Sequence, residues 1–151
     1  MSYYVAGNPV LTAGSYVSGG AAELQSSDSA YYVANSSSGN PKQVVFTVQS
    51  QSMTQPASIS QIEVRFVVMS DHTNVTVDLY VKGSTGYPAS PDSGFTFTTA
   101  GVSKTAYFYL SVAELSYINS LADRRVDLMV SATGNLNYQL SSDQILFTAS
   151  P

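Results

Sequence analysis

The sequence predicts an all-β fold: two antiparallel sheets packed face to face as a jelly-roll-like sandwich, with one short helix. Three observations carry that prediction. Apolar and polar residues alternate along several short runs, most clearly through 62–68 and 75–82. Clusters of Gly, Pro, Asn and Ser punctuate those runs. The 151 residues carry only 11% charged side chains beside 44% hydrophobic ones, where an ordinary soluble domain has roughly 25% charged. Hydroxyls and amides, rather than charges, keep this surface wet.

Residues 1–13 are polar and carry the breaker Asn8-Pro9, so they read as an N-terminal arm or a lead-in strand ahead of a sandwich over 14–151. Strand texture begins at Ser15-Tyr16-Val17 and resumes at Ala30 to Ala34. A Ser/Gly/Asn/Pro loop follows at 35–41, then a strand through Gln43–Val48 and a polar loop at 50–58. The strongest signal lies at 62–82. Ile62, Val64, Phe66 and Val68 alternate with Glu63, Arg65 and Val67. Val75, Val77, Leu79 and Val81 alternate with Thr76, Asp78, Tyr80 and Lys82. Successive strand side chains point to opposite faces, so both sets of aliphatics should line the core. The link Met69 to Asn74 has hairpin length, and 59–69 and 74–82 are expected to pair as adjacent antiparallel strands.

A loop with three glycines and two prolines runs from Gly83 to Gly94. Phe95–Thr98 and Ala106–Leu110 then return to strand texture. Ser111-Val112-Ala113-Glu114 is a capping box, and Leu115, Ile118 and Leu121 follow at helical spacing, so a helix is expected from Ser111 to about Ala122. Val126, Leu128 and Val130 alternate again, Gly134-Asn135 turns, and Gln144–Thr148 closes the domain. The expected total is eight or nine strands.

Composition excludes several functions. Without cysteine there is no disulfide framework, no thiolate metal site and no cysteine nucleophile. A net charge of −4, with Arg124-Arg125 as the one adjacent basic pair, does not suit a nucleic-acid backbone. No apolar run reaches the roughly 20 residues of a membrane helix. Met1 to Pro9 has neither the basic nor the apolar region of a secretory leader. If Met1 is native, the chain is expected to be made in a cytoplasm without export by that route.

His72 follows Asp71, but a lone imidazole cannot complete a metal set, so it reads as a solvated loop residue. Glu63 and Asp78 lie on outward strand positions and read as solvated charges, with Arg65 and Lys82 as cross-strand partners. No catalytic residue, metal site or cofactor is expected, and the chain reads as a non-enzyme. The eleven tyrosines are more informative. Tyr-Tyr and Tyr-Phe-Tyr runs must place rings on both faces of a strand, so some leave the core and offer a partner surface. Tyr87 stands out as a surface aromatic platform. Tyr3, Tyr4 and Val5 stand out as interface residues of the arm.

The stretch 14–33 has a Gly/Ser turn, then Leu24, Asp28 and the aromatic pair Tyr31-Tyr32. It resembles the opening of a β-sandwich module of phage structural proteins and bacterial surface-exposed proteins. The order of elements through 148 is similar. The physical expectation is that Leu24 plugs the core and Asp28 caps the following backbone as an Asx-turn does. The resemblance implies a virion structural protein, foremost a decoration protein on the outer surface of a bacteriophage capsid. The partners it implies are the major capsid protein or another virion surface and further copies of the chain, a homotrimer first. The alternative is a secreted or cell-surface carbohydrate-binding or adhesion module, placed outside the cell.

Overall fold

A computed structural model describes residues 1–151 as eleven strands, a 3-10 turn and one helix. The strands are β1 (Ser2–Val5), β2 (Val10–Ala13), β3 (Ser15–Ser18), β4 (Tyr32–Asn35), β5 (Lys42–Gln49) and β6 (Gln61–Ser70). They continue as β7 (Thr76–Val81), β8 (Ser93–Thr96), β9 (Lys104–Tyr109), β10 (Asp127–Gly134) and β11 (Gln139–Ser150). The helix α1 spans Val112–Ser120, and the 3-10 turn spans Ala21–Leu24. All strand pairs are antiparallel. One sheet has the order β3-β4-β11-β6-β9, with β1 also on β11; the other has the order β2-β5-β10-β7-β8. The two sheets stack as a jelly-roll-like sandwich.

The inward positions form one continuous cluster of 30 buried residues. Ile62, Val64, Phe66, Val68, Val75, Val77, Leu79 and Val81 all belong to it, as the alternation requires. The expected hairpin does not form. β6 pairs β11 and β9, whereas β7 pairs β10 and β8 in the opposite sheet. Alternation states which side of a strand is buried. It does not state which strand lies alongside, and two strands facing each other across a core alternate identically. The link from Asp71 to Val75 is therefore a corner between sheets, with Asn74 left-handed at φ 60°.

Residues 1–13 are also not a loose arm. β1 lies against β11 in the register Ser2↔Ala149 through Val5↔Leu146, and β2 lies against β5. Gly14 joins β2 to β3 across the two sheets at φ +100°, where a Cβ would stand 2.5 Å from the Asn35 carbonyl. Only glycine meets that turn without strain. The helix follows its capping box, and Ile118 drives its buried face into the core. At the opening stretch, Leu24 is fully buried, and Asp28 Oδ1 accepts from the Ala30 N–H at 3.1 Å.

Candidate functional site

Each sheet keeps one face on the core and turns the other to water, so two broad outer faces exist. On the five-stranded sheet, register carries one row across four strands: Val10 on β2, Thr47 on β5, Met129 on β10 and Tyr80 on β7. The neighbouring row joins Gln49 to Asp127. Gln49 Nε2 donates to Asp127 Oδ1 at 3.1 Å. Arg125, two residues before Asp127 and just outside β10, pairs with Asp123 at 3.5 Å.

Tyr87 reaches the same end of this face from the β7–β8 link. That link leaves β7 through a tight turn in which Gly83 and Gly86 exchange backbone bonds of 2.9 and 3.1 Å, with Gly86 at φ +104°. The turn folds the chain back. Tyr87 then lines a depression of about 510 Å³ with Asn8, Val10, Thr47, Gln49, Arg125 and Asp127. Half-burial of the ring, with the Asp127 carboxylate nearby, raises the Tyr87 pKa. Asp78, farther along the same face, is also raised by burial. The depression lies within the roughly 300–1,000 Å³ of small-ligand sites. It combines an aromatic face with an acid, a base and two amides. Such a site can pack a ring on an apolar surface while bonding hydroxyls on both donor and acceptor sides.

A second depression, of about 530 Å³, gathers Ser15, Asn35, Asp71 and Gln139. Its one aromatic, Tyr138, is buried and donates to the Lys42 carbonyl at 3.3 Å, so it presents no open ring. His72 stands near this end, with Nδ1 2.8 Å from Asp71 Oδ1. The same Asp71 oxygen accepts from the Gln139 N–H at 2.7 Å, which makes the pair a tie for the corner loop.

The structure separates other residues that the sequence groups. Glu63 and Arg65 face outward from the six-stranded sheet, whereas Asp78 and Lys82 belong to the strand and end of β7 in the other. Glu63 and Asp78 therefore cannot form a carboxylate pair, nor can the expected cross-strand charge pairs form. Tyr4 does not project from an arm. It packs against the core, donates to the Gln55 carbonyl at 2.7 Å and accepts from the Gln55 N–H at 3.0 Å. Tyr3 is exposed, and Val5 is half-buried beside Leu146. Tyr87 is thus in the candidate site and the Tyr3–Val5 group is not. Gln49, Arg125 and Asp127 were missed, although Arg125 and Asp127 flank inward Val126 and so share one outer face.

No protein-family description matches the chain, and no curated protein matches it. Solved structures share its fold. A family 61 carbohydrate-binding module in complex with β-1,4-galactotriose aligns over 94% of this chain and 88% of its own, at TM-score 0.50 and 12% identity. An arginine-to-alanine variant of a family 29 carbohydrate-binding module, made to probe ligand recognition, aligns over 98% and 92%, at TM-score 0.53 and 9% identity. A xylanase 10C variant from Cellvibrio japonicus, in complex with xylopentaose, aligns over 97% of this chain and 28% of its own, at TM-score 0.52 and 14% identity. These likenesses establish a β-sandwich of the kind that carbohydrate-binding modules have.

Proposed function

We propose that this chain is a non-catalytic module that binds a polysaccharide on the outer face of its five-stranded sheet, and that it works outside the cell. The observation that carries the reading is the placement of Tyr87, half-buried and lining one depression together with Thr47, Gln49, Arg125 and Asp127. A pyranose ring has an apolar C–H face and an equatorial belt of hydroxyls. A tyrosine ring covers the first, and paired amide and carboxylate groups satisfy the second. Two of the similar solved structures are carbohydrate-binding modules, which supports the same reading. The capsid-decoration reading rests on the resemblance of 14–148 to phage structural modules, whereas the similar solved structures favour carbohydrate binding. The arm interface expected with it is altered, because β1 is bonded into the sheet and Tyr4 packs against the core.

The test is affinity gel electrophoresis against soluble β-glucans, xylan, galactan and mannan. At least one should retard the wild-type chain. Tyr87→Ala should weaken that retardation about tenfold or more, since burying a large apolar side chain contributes about 1.5–3 kcal/mol and about 1.4 kcal/mol is a factor of ten. No retardation by any of them, or none lost in Tyr87→Ala, would overturn the proposal.

A further inference from the structure

The opposite face of the sandwich carries the most open aromatic array of the molecule. On the outer side of the six-stranded sheet, register lines up Tyr3, Thr148, Glu63 and Tyr109 in one row and Val5, Leu146, Arg65 and Tyr107 in the next. Tyr3 is 64% exposed, Tyr107 65% and Tyr109 55%. We propose that this face is a second binding surface for a neutral polysaccharide, so that one chain holds two glycan strands on opposite sides. That this face binds rests on the carbohydrate-binding reading of the chain but not on the Tyr87 depression; the holding of two strands needs both faces.

Spacing comes from sheet geometry. Tyr107 and Tyr109 are two residues apart on edge strand β9, about 7 Å along the strand. Tyr3 stands three strands away across the row, about 14 Å. The rings therefore flank a strip floored by Thr148, Leu146, Glu63 and Arg65. The charges on that strip are free to act. Glu63 and Arg65 form no ion pair with each other or with any other residue. Arg65 Nη1 makes one long contact of 3.5 Å to Gln144 Oε1. The Glu63 carboxylate lies close enough to Tyr109 to raise the phenol's pKa, through a hydrogen bond first and charge second.

One acceptor and one donor in mid-strip suit a polyhydroxylated ligand, and together they carry no net charge, which suits a neutral one. A second copy of the chain fits less well. Protein interfaces put apolar groups at the centre and polar groups at the rim, whereas here the charges are central and the rings are at the margins.

The experiment compares wild type, Tyr87→Ala, and the double variant Tyr107→Ala with Tyr109→Ala, using the polysaccharide that most retards wild type. Exposed side chains of this kind contribute little to folding, and matching melting curves verify that. Sedimentation gives the oligomeric state. A monomeric wild type should cross-link the polysaccharide and raise its turbidity. The Tyr107/Tyr109 double variant should still bind but no longer cross-link, with retardation weakened several-fold.

If that double variant cross-links and binds like wild type, the second face is refuted while the Tyr87 face stands. If Tyr87→Ala behaves as wild type and the double variant loses all binding, the Tyr87 face is refuted and this one stands. A wild-type dimer that dissociates in the double variant would make the face a self-interface and overturn the proposal. No polysaccharide binding at all would overturn both.

Discussion

Ser111 and Glu114 cap each other. Ser111 Oγ accepts from the Glu114 N–H at 3.2 Å, and Glu114 Oε1 accepts from the Ser111 N–H at 2.8 Å. The same carboxyl is buried and faces Asp92, which closes the β7–β8 link by accepting from the Val81 N–H at 2.8 Å. No other charged residue lies between Gly83 and Pro91, so Asp92 is the charge that Glu114 meets. Burial first, then a hydrogen bond and charge from Asp92, push Glu114 up to about 7, against a smaller pull downward from Ser111.

That shift fixes a pH dependence. Unfolded, Glu114 titrates near the ordinary ~4.3; folded, it holds its proton to about 7. Between these values the native state binds more protons, so stability falls as pH rises from about 4.3 to about 7 and is flat above. The contribution is on the order of 1–3 kcal/mol. Glu114→Gln keeps an oxygen for the Ser111 N–H and should remove this fall, melting higher than wild type at pH 8 and alike at pH 4. A wild-type melting temperature that rises between pH 5 and 7 in step with the variant would refute the assignment.

Ser111→Ala removes the acceptor for the Glu114 N–H at the first turn of α1. It should cost about 1 kcal/mol in urea unfolding with an unchanged slope. Ser111→Asp should recover most of it at low pH, where its carboxyl is neutral, and less at neutral pH, where its carboxylate would join the Asp92–Glu114 cluster. Equal stability of Ser111→Ala and wild type would show that tertiary packing of Ile118 alone holds the helix.

Leu24 fills the core beneath the turn at 21–24, where Gly20 N–H donates to Glu23 Oε2 at 2.6 Å. Truncation there leaves a cavity in a continuous core, so Leu24→Ala should cost about 2–5 kcal/mol. Thermal unfolding measures it. A cost below about 1 kcal/mol, the level of a single surface change, would mean that the 19–30 segment folds independently of the sandwich.

Much of this architecture was legible in the sequence, and the missing parts share a cause. The inward set on β6 and β7, the capped helix, Leu24 and Asp28 were all readable because each depends on local period or on neighbours within a few residues. The pairing of β6 with β11 and of β7 with β10 was not, since those partners lie tens of residues away and alternation is blind to the neighbour. β1 and β2 were hidden by Asn8-Pro9, which separates two short strands that enter different sheets. At the candidate site, Tyr87 was visible as a ring in a breaker-rich loop. Asp127 and Gln49 became recognisable as partners only once β5 and β10 were seen side by side.

Tyr4 stitches β1 to the loop after β5 through both Gln55 backbone groups. Ala6 is fully buried, and its carbonyl accepts from Gln25 Nε2 at 3.0 Å, while the Gly7 N–H donates to Gln49 at 2.7 Å. Tyr4→Phe removes the hydroxyl and hands the exposed Gln55 N–H to water, which should cost about 0.5–1.5 kcal/mol. Deleting residues 1–9 removes all of these ties and bares the edge of β11 along 146–149. An unpaired edge beside a vacated core position both destabilises and invites association. The truncated chain should therefore melt well below wild type and aggregate on heating. If it melted as wild type and stayed monomeric, residues 1–9 would be the dispensable arm that their polar, Pro-broken sequence suggests, and the place of β1 in the sheet would be wrong.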